Sequence, residues 1–326
     1  MYIESLQFSL WADFIERDYL DNEFKTLIAE GVINGATSNP AIFKNAILNS
    51  PAYKTQLASL DGLSAKEKYE AVAIYDIAKA ADILRPLYDA GDDGYVSIEV
   101  DPYLCDDAAA TIAEGKRLYA AIDRPNVMIK VPATKAGYEA MEALTAEGIA
   151  VNATLIFKES QAKACAESFS RGVAKFGSKV DTVISVFVSR VDRAIDAKLI
   201  TAGVRPALAG VYNSAKIYSQ IESMQVPGCR TLFASTGVKD DSLSADYYIT
   251  SLLAQNSVNT APIDTIKAYM SSSDKNAKLP ISEEIIEEHF EKIAATGIDL
   301  EAILDEQISD GLIAFKDAFQ EILEAL

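Results

Sequence analysis

Apolar residues along the chain gather into eight short runs, at 9–14, 33–39, 95–100, 127–131, 150–157, 182–188, 231–235 and 257–260, separated by stretches with helical spacing. Runs of strand length alternating with helices predict parallel strands joined by crossover helices. The helix boundaries are marked too. Ser64 with Glu67 forms a capping-box pattern, Asp106 and Asp107 precede the alanine-rich stretch 108–121, and Gly148 and Gly177 stand where helices should stop. Pro206 suits the first turn of a helix ending near Met224.

Eight parallel strands can close on themselves, whereas open doubly wound sheets usually have fewer. No Gly-x-Gly-x-x-Gly or Gly-x-x-x-x-Gly-Lys-Ser/Thr loop follows any strand, which removes the main support for a dinucleotide or nucleotide sheet. The expected fold is therefore α/β, a (β/α)8 TIM barrel with residues 1–326 forming a single domain. Helical stretches at 53–90 and 282–326 fall outside the eight-fold scheme. Both are expected to pack on the barrel, the second as a C-terminal helical extension.

Composition narrows the function. With 49% hydrophobic residues and no apolar run near the length of a membrane span, the chain is expected to be cytoplasmic and to have no membrane partner. A net charge of -18 opposes nucleic acid, which needs a basic face. A small anionic substrate stays open, provided a few local cations overcome the background field. The three cysteines, Cys105, Cys165 and Cys229, are odd in number and far apart, so they read as buried thiols instead of a disulfide framework or zinc site. The single histidine, His289, sits in the charged stretch 283–292 and is expected on the surface, which removes histidine triads and histidine-rich metal sites.

Barrel enzymes build their sites at the C-terminal ends of the strands, where this chain is rich in polar residues. Asp13, Thr37, Ser38, Asn39, Glu99, Asp101, Lys130, Asn152, Thr154, Ser185, Arg190 and Ser235 all fall late in a predicted strand or just after one. Lys130 says most. In Val127-Met128-Ile129-Lys130-Val131 the odd positions suit packing on outer helices, so Met128 and Lys130 point into the barrel. A lysine there is costly unless used, and a neutral amine in such a place can attack a ketone to form an imine. Imine chemistry needs carboxylates to move protons, and Asp13 and Glu99 on different strands can divide that work. The plainer alternatives are a helix-capping Asp13 and a Glu99 that merely pairs with Lys130. Asp101, before Pro102, reads as a turn residue.

At this point the sequence resembles the transaldolases. Gly35-Ala36-Thr37-Ser38-Asn39-Pro40-Ala41-Ile42-Phe43 is similar to their first signature, and Val127-Met128-Ile129-Lys130-Val131-Pro132-Ala133-Thr134 to the stretch that carries their Schiff-base lysine. Ser97 to Asp101, Asn152 to Phe157 and Ile184 to Asp192 match further segments in the same order, so the resemblance covers nearly the whole chain. It implies Lys130 as the imine-forming nucleophile, Asp13 as the acid/base at the cleaved bond, and Glu99 with Thr154 holding a proton-shuttling water. It also implies that Asn39, Asn152 and Ser185 bind a dihydroxyacetone unit in a pocket shaped by Phe187, and that Arg190 binds phosphate. The implied partners are sugar phosphates, with no metal or organic cofactor, and the chain is expected to be a monomer or homodimer.

One departure stands out. Many transaldolases carry an arginine shortly after Ala-Ser of strand seven, but here Ala234-Ser235 is followed by Thr236, Gly237, Val238 and Lys239, as in a variant subgroup. Lys239 is the expected replacement, a point charge less directional than a guanidinium fork. Arg193 is expected to pair with Asp192 or Asp196. The nearest rival, a fructose 6-phosphate aldolase, belongs to shorter chains that tend to have tyrosine where Phe187 stands. A non-catalytic sugar-phosphate binding barrel would be expected to have lost Lys130, Asp13 or Glu99.

Overall fold

The apolar runs do form strands, and their two faces do different work. The computed structural model describes residues 2–239 and 242–326. Strands β1 (Ser9–Ala12), β2 (Gly35–Thr37), β3 (Tyr95–Glu99), β4 (Val127–Pro132), β5 (Val151–Ile156), β6 (Thr182–Phe187), β7 (Cys229–Ala234) and β8 (Ser257–Ala261) pair in parallel and in sequence order into a closed barrel. Val96, Ile98, Val127, Ile129, Val131, Ile184 and Val186 face outward and pack with the surrounding helices. Trp11, Met128, Val183, Leu232 and Val258 face inward and fill the centre. The period of two in each strand thus separates an outer core from an inner one.

Trp11 plugs the barrel axis and is fully buried. Gly35 on the neighbouring strand makes room for it, since a Cβ at Gly35 would lie 2.5 Å from the indole. The indole Nε1 donates to Asp93 Oδ2 at 3.0 Å, and Arg230 Nη2 pairs with Asp93 Oδ1 at 2.6 Å, so the N-terminal mouth is closed by a polar seal. Everything above this plug is free to serve as a site.

The predicted capping box forms at Ser64 and Glu67, Asp107 caps the helix Ala108–Ile122, and Gly177 ends the helix Glu159–Phe176 in the left-handed region. Three expectations need correction. The helix Ala65–Asp89 is not an addition to the eight-fold scheme, because Val72, Ala73, Ile77 and Leu84 bury against the outer core with Val96 and Ile98; it is the β2-to-β3 crossover. The helix Pro40–Asn49 is the extra element. Pro206 lies in a bend before the helix Ala209–Met224, not in its first turn. His289 is buried, edge-on to Tyr212 at 5.2 Å, because its helix, Glu283–Ala295, turns an apolar stripe of Ile286 and Ile293 inward. The cysteines are buried free thiols, as expected. No helix of the described residues is long and apolar enough to cross a membrane.

The C-terminal helix Leu300–Ala325, N-capped by Asp299, packs on Pro40–Asn49 and Ala65–Asp89. Lys158 reaches Glu301 at 2.8 Å and Asp305 at 2.9 Å, and Lys44 reaches Glu321 at 3.0 Å. Such exposed pairs contribute little individually. Close approach matters more: Gly311 sits so near Leu155 that a Cβ would be 2.8 Å from its Cδ2.

Gly35→Ala is expected to destabilise the fold by about 1–3 kcal/mol through overpacking against Trp11, measured as the loss of unfolding free energy in urea. Combining it with Trp11→Phe should cost less than the sum of the two single changes.

Candidate active site

Register brings the site together. Glu99 on β3 is the lateral partner of Lys130 on β4, which is the lateral partner of Asn152 on β5, so all three share the inner face. Lys130 Nζ lies 3.4 Å from Glu99 Oε2 and donates to the Ser38 carbonyl at 3.0 Å. Its charged neighbours are the carboxyl groups of Glu99 and Asp13. Phe315 of the C-terminal helix lies over the amine, 5.8 Å from ring centroid to Nζ.

Above the inner core is a cavity of about 220 Å³ whose lining includes Asp13, Asn39, Lys130, Thr154, Ser185 and Arg190. Phe187 and Ser235 also line it. Eight of the eleven residues read from the sequence as catalytic or substrate-binding therefore meet in one space. The other three do not line it. Glu99 is buried behind Lys130. Asn152 is fully buried beneath Ser185, accepting from its hydroxyl at 2.6 Å and donating to Ser97 Oγ at 3.0 Å. Lys239 is exposed and outside the cavity.

Asp13 is not a helix cap. It accepts from the Thr37 hydroxyl at 2.7 Å, and Thr37 Oγ1 is in turn hydrogen-bonded to Thr260 Oγ1 at 2.6 Å. Asp101 is the turn residue expected, accepting from Tyr103 N and pairing with Lys66. Asn39 caps the helix Pro40–Asn49 through Oδ1, which leaves its NH2 to face the cavity. A bulge in β5 between Ala153 and Ile156, with Leu155 at φ +61°, re-aims the end of that strand. The buried Gln161 amide secures the bulge, donating to the Leu155 and Ala133 carbonyls and accepting from Phe157 N.

Burial governs the electrostatics. It lifts the Asp13 carboxyl above the ordinary carboxylate range, with Lys130 and the Thr37 hydroxyl opposing it. Burial likewise pushes Glu99 up to about 7, against the attraction of Lys130 and with some help from Asp13. Neither Glu99 oxygen, nor the Thr154 hydroxyl, has a hydrogen-bond partner among the described residues. A carboxyl that accepts protons near neutrality, beside an amine and a hydroxyl, is equipped for acid/base work on a carbonyl adduct.

Sequence reasoning left out several lining residues. Thr260 is an inward polar residue late in β8, legible by the rule that found the others. Arg193 lines the cavity and is not paired with Asp192, which accepts from Gly210 N at 2.6 Å and Tyr248 Oη at 2.9 Å. Ala314 and Phe315 arrive from a helix whose sequence gives no sign of where it docks.

Comparison with known proteins fits this geometry. Residues 10–326 match the family model described as Transaldolase/Fructose-6-phosphate aldolase. A protein of Campylobacter jejuni (strain 81116) named transaldolase is 47% identical over 98% of this chain and 99% of its own length. One of Helicobacter pylori, also named transaldolase, is 44% identical with the same coverage.

Because the Glu99 carboxyl is raised from 4.5 to about 7, the folded state holds a proton the unfolded chain has released in that window. The associated stability is present at low pH and lost as pH rises through about 7. Glu99→Gln, which keeps the neutral shape, should therefore gain on the parent between about pH 5 and about pH 8, by on the order of 1–3 kcal/mol. Urea unfolding at a series of pH values measures it; a difference that stays flat would place the proton elsewhere.

Proposed function

Since the chain belongs to the transaldolase/fructose-6-phosphate aldolase family, we propose that it works as a cytoplasmic transaldolase of the pentose phosphate pathway, with residues 1–326 acting as one domain. It moves a dihydroxyacetone unit from sedoheptulose 7-phosphate or fructose 6-phosphate to glyceraldehyde 3-phosphate or erythrose 4-phosphate. The observation that carries this reading is Lys130, buried inside the barrel between two carboxyl groups at the floor of a cavity with an arginine at its rim.

The chemistry follows from that arrangement. Lys130 attacks the ketose carbonyl carbon, and ionised Glu99 accepts a proton through a water held with the Thr154 hydroxyl, whose buried oxygen needs a partner. Loss of water from the carbinolamine, which takes up the proton Glu99 had accepted, gives an imine that draws electrons from the bond between its α- and β-carbons. Asp13 takes the proton of the hydroxyl on the β-carbon, that α–β bond breaks, and an aldose departs. The remaining enamine attacks the aldehyde of a second aldose, Asp13 returns the proton to the new hydroxyl, and hydrolysis frees Lys130. Asn39 and Ser185 orient the three-carbon unit, Asn152 fixes Ser185 from beneath, and Phe187 walls the pocket while stacking on Phe157 at 5.3 Å. Arg190, over the Phe187 ring at 5.3 Å, and Ser235 address the phosphate.

Borohydride reduction in the presence of fructose 6-phosphate should fix a dihydroxyacetone adduct on Lys130, identified by peptide mapping. Labelling of Lys135 or Lys158 instead would overturn the assignment. Lys130→Arg keeps the charge but cannot form an imine, so turnover should drop by several orders of magnitude with the fold retained.

Asp13→Ala should still form the imine but release the aldose slowly, whereas Glu99→Ala should slow imine formation and hydrolysis, each by about 10²- to 10⁴-fold. Single-turnover trapping separates the two steps; the same blocked step in both variants would refute the division of labour.

A further inference from the structure

We propose that Arg193 is the second phosphate anchor of this site, acting with Arg190 as a pair of guanidinium groups on one helix and taking the place that sequence alone gives to Lys239. The inference rests on the reading above for the identity of the ligand as a sugar phosphate. Its geometry stands separately.

Arg190 and Arg193 lie three residues apart in the first turns of the helix Ser189–Thr201, so their side chains leave the same face of the helix. Both line the cavity that holds Lys130 and Asp13. Arg190 is half-buried against Phe187, and Arg193 is exposed at the outer edge with Nε donating to the Ser189 carbonyl at 3.3 Å. Neither guanidinium has an ion-pair partner within 4 Å among the described residues, although the chain carries a net charge of -18. Asp192 and Asp196, the obvious partners by sequence, instead accept from the backbone at Gly210 and Ala207.

Two like charges on one helix face repel, and here burial first, with the Arg193 charge adding to it and the Asp310 carboxylate opposing it, holds Arg190 below the usual arginine range. An anion between them relieves that repulsion. Ser235, hydrogen-bonded at 3.1 Å to the buried Ser189 hydroxyl, lines the same cavity and adds a hydroxyl suited to a phosphate. Ser235 is held there with φ +54°. A phosphate monoester carries close to two negative charges at neutral pH. One guanidinium matches half of that charge, and two match it fully, each able to offer a fork of N–H donors. Lys239, exposed in the loop after β7, does not line this cavity.

The test measures inorganic phosphate binding by calorimetry to the full chain, together with kcat and KM for phosphorylated and unphosphorylated aldose acceptors. Arg193→Gln should weaken phosphate roughly tenfold or more and raise KM for phosphorylated acceptors by a similar factor, with a much smaller change for glyceraldehyde. Arg193→Lys, which keeps the charge but loses the fork, should fall between Gln and the parent. Lys239→Ala should leave phosphate affinity within about twofold, as expected for a surface charge outside the contact. Unchanged phosphate affinity in Arg193→Gln, or a larger loss in Lys239→Ala, would overturn the proposal. Failure of the parent enzyme to form the Lys130 adduct would instead sink the transaldolase reading, leaving the phosphate measurement to stand on its own.

Discussion

An ammonium and a carboxyl 3.4 Å apart, shut inside a closed sheet, make the demand to which the remaining structure responds. Removing both groups from water costs several kcal/mol per charge before attraction returns any of it. Part of the cost is met by the Ser38 carbonyl, which accepts from Lys130. Part is avoided, because a Glu99 carboxyl held near 7 is not fully ionised at neutral pH. Glu99 can therefore take up or release a proton near neutrality. That is a poor arrangement for stability and a useful one for an amine that must lose a proton, attack a carbonyl and later be regenerated.

Holding such a pair requires a rigid floor and a controlled ceiling. The floor is Trp11, seated against Gly35 and tied through Asp93 to Arg230. The ceiling is the C-terminal helix. Gly311 lets that helix approach Leu155 at the β5 bulge, and Phe315 covers Lys130. The same bulge is braced by Gln161, so the ends of β4 and β5 and the covering helix share one set of contacts. Reacting groups on adjacent strands need only register to meet, whereas their cover depends on side chains far apart in sequence.

This difference explains what could be read from the sequence. Strand alternation determines which face a residue occupies, so Lys130, Glu99 and Asp13 were legible from position alone, as were the eight strands. Thr260 was equally legible by that rule. The helix Ala65–Asp89 was misassigned because periodicity reveals an amphipathic helix without saying which strand it covers, and His289 because five flanking glutamates conceal the apolar stripe of Ile286 and Ile293. Arg193 misled for a related reason: acidic residues one and three positions away are natural partners on paper, but backbone N–H groups from the following loop and helix claim them. Local spacing cannot reveal a competitor that arrives from elsewhere in the chain.

The covering helix also orders events during synthesis. Phe315 and Gly311 follow all eight strands in the chain, so they leave the ribosome after the barrel's own residues. A growing chain that has completed β8 has made Lys130, Glu99 and Asp13 but not the Phe315 that covers the lysine. The cover over the nucleophile is thus made only after the nucleophile itself and all eight strands.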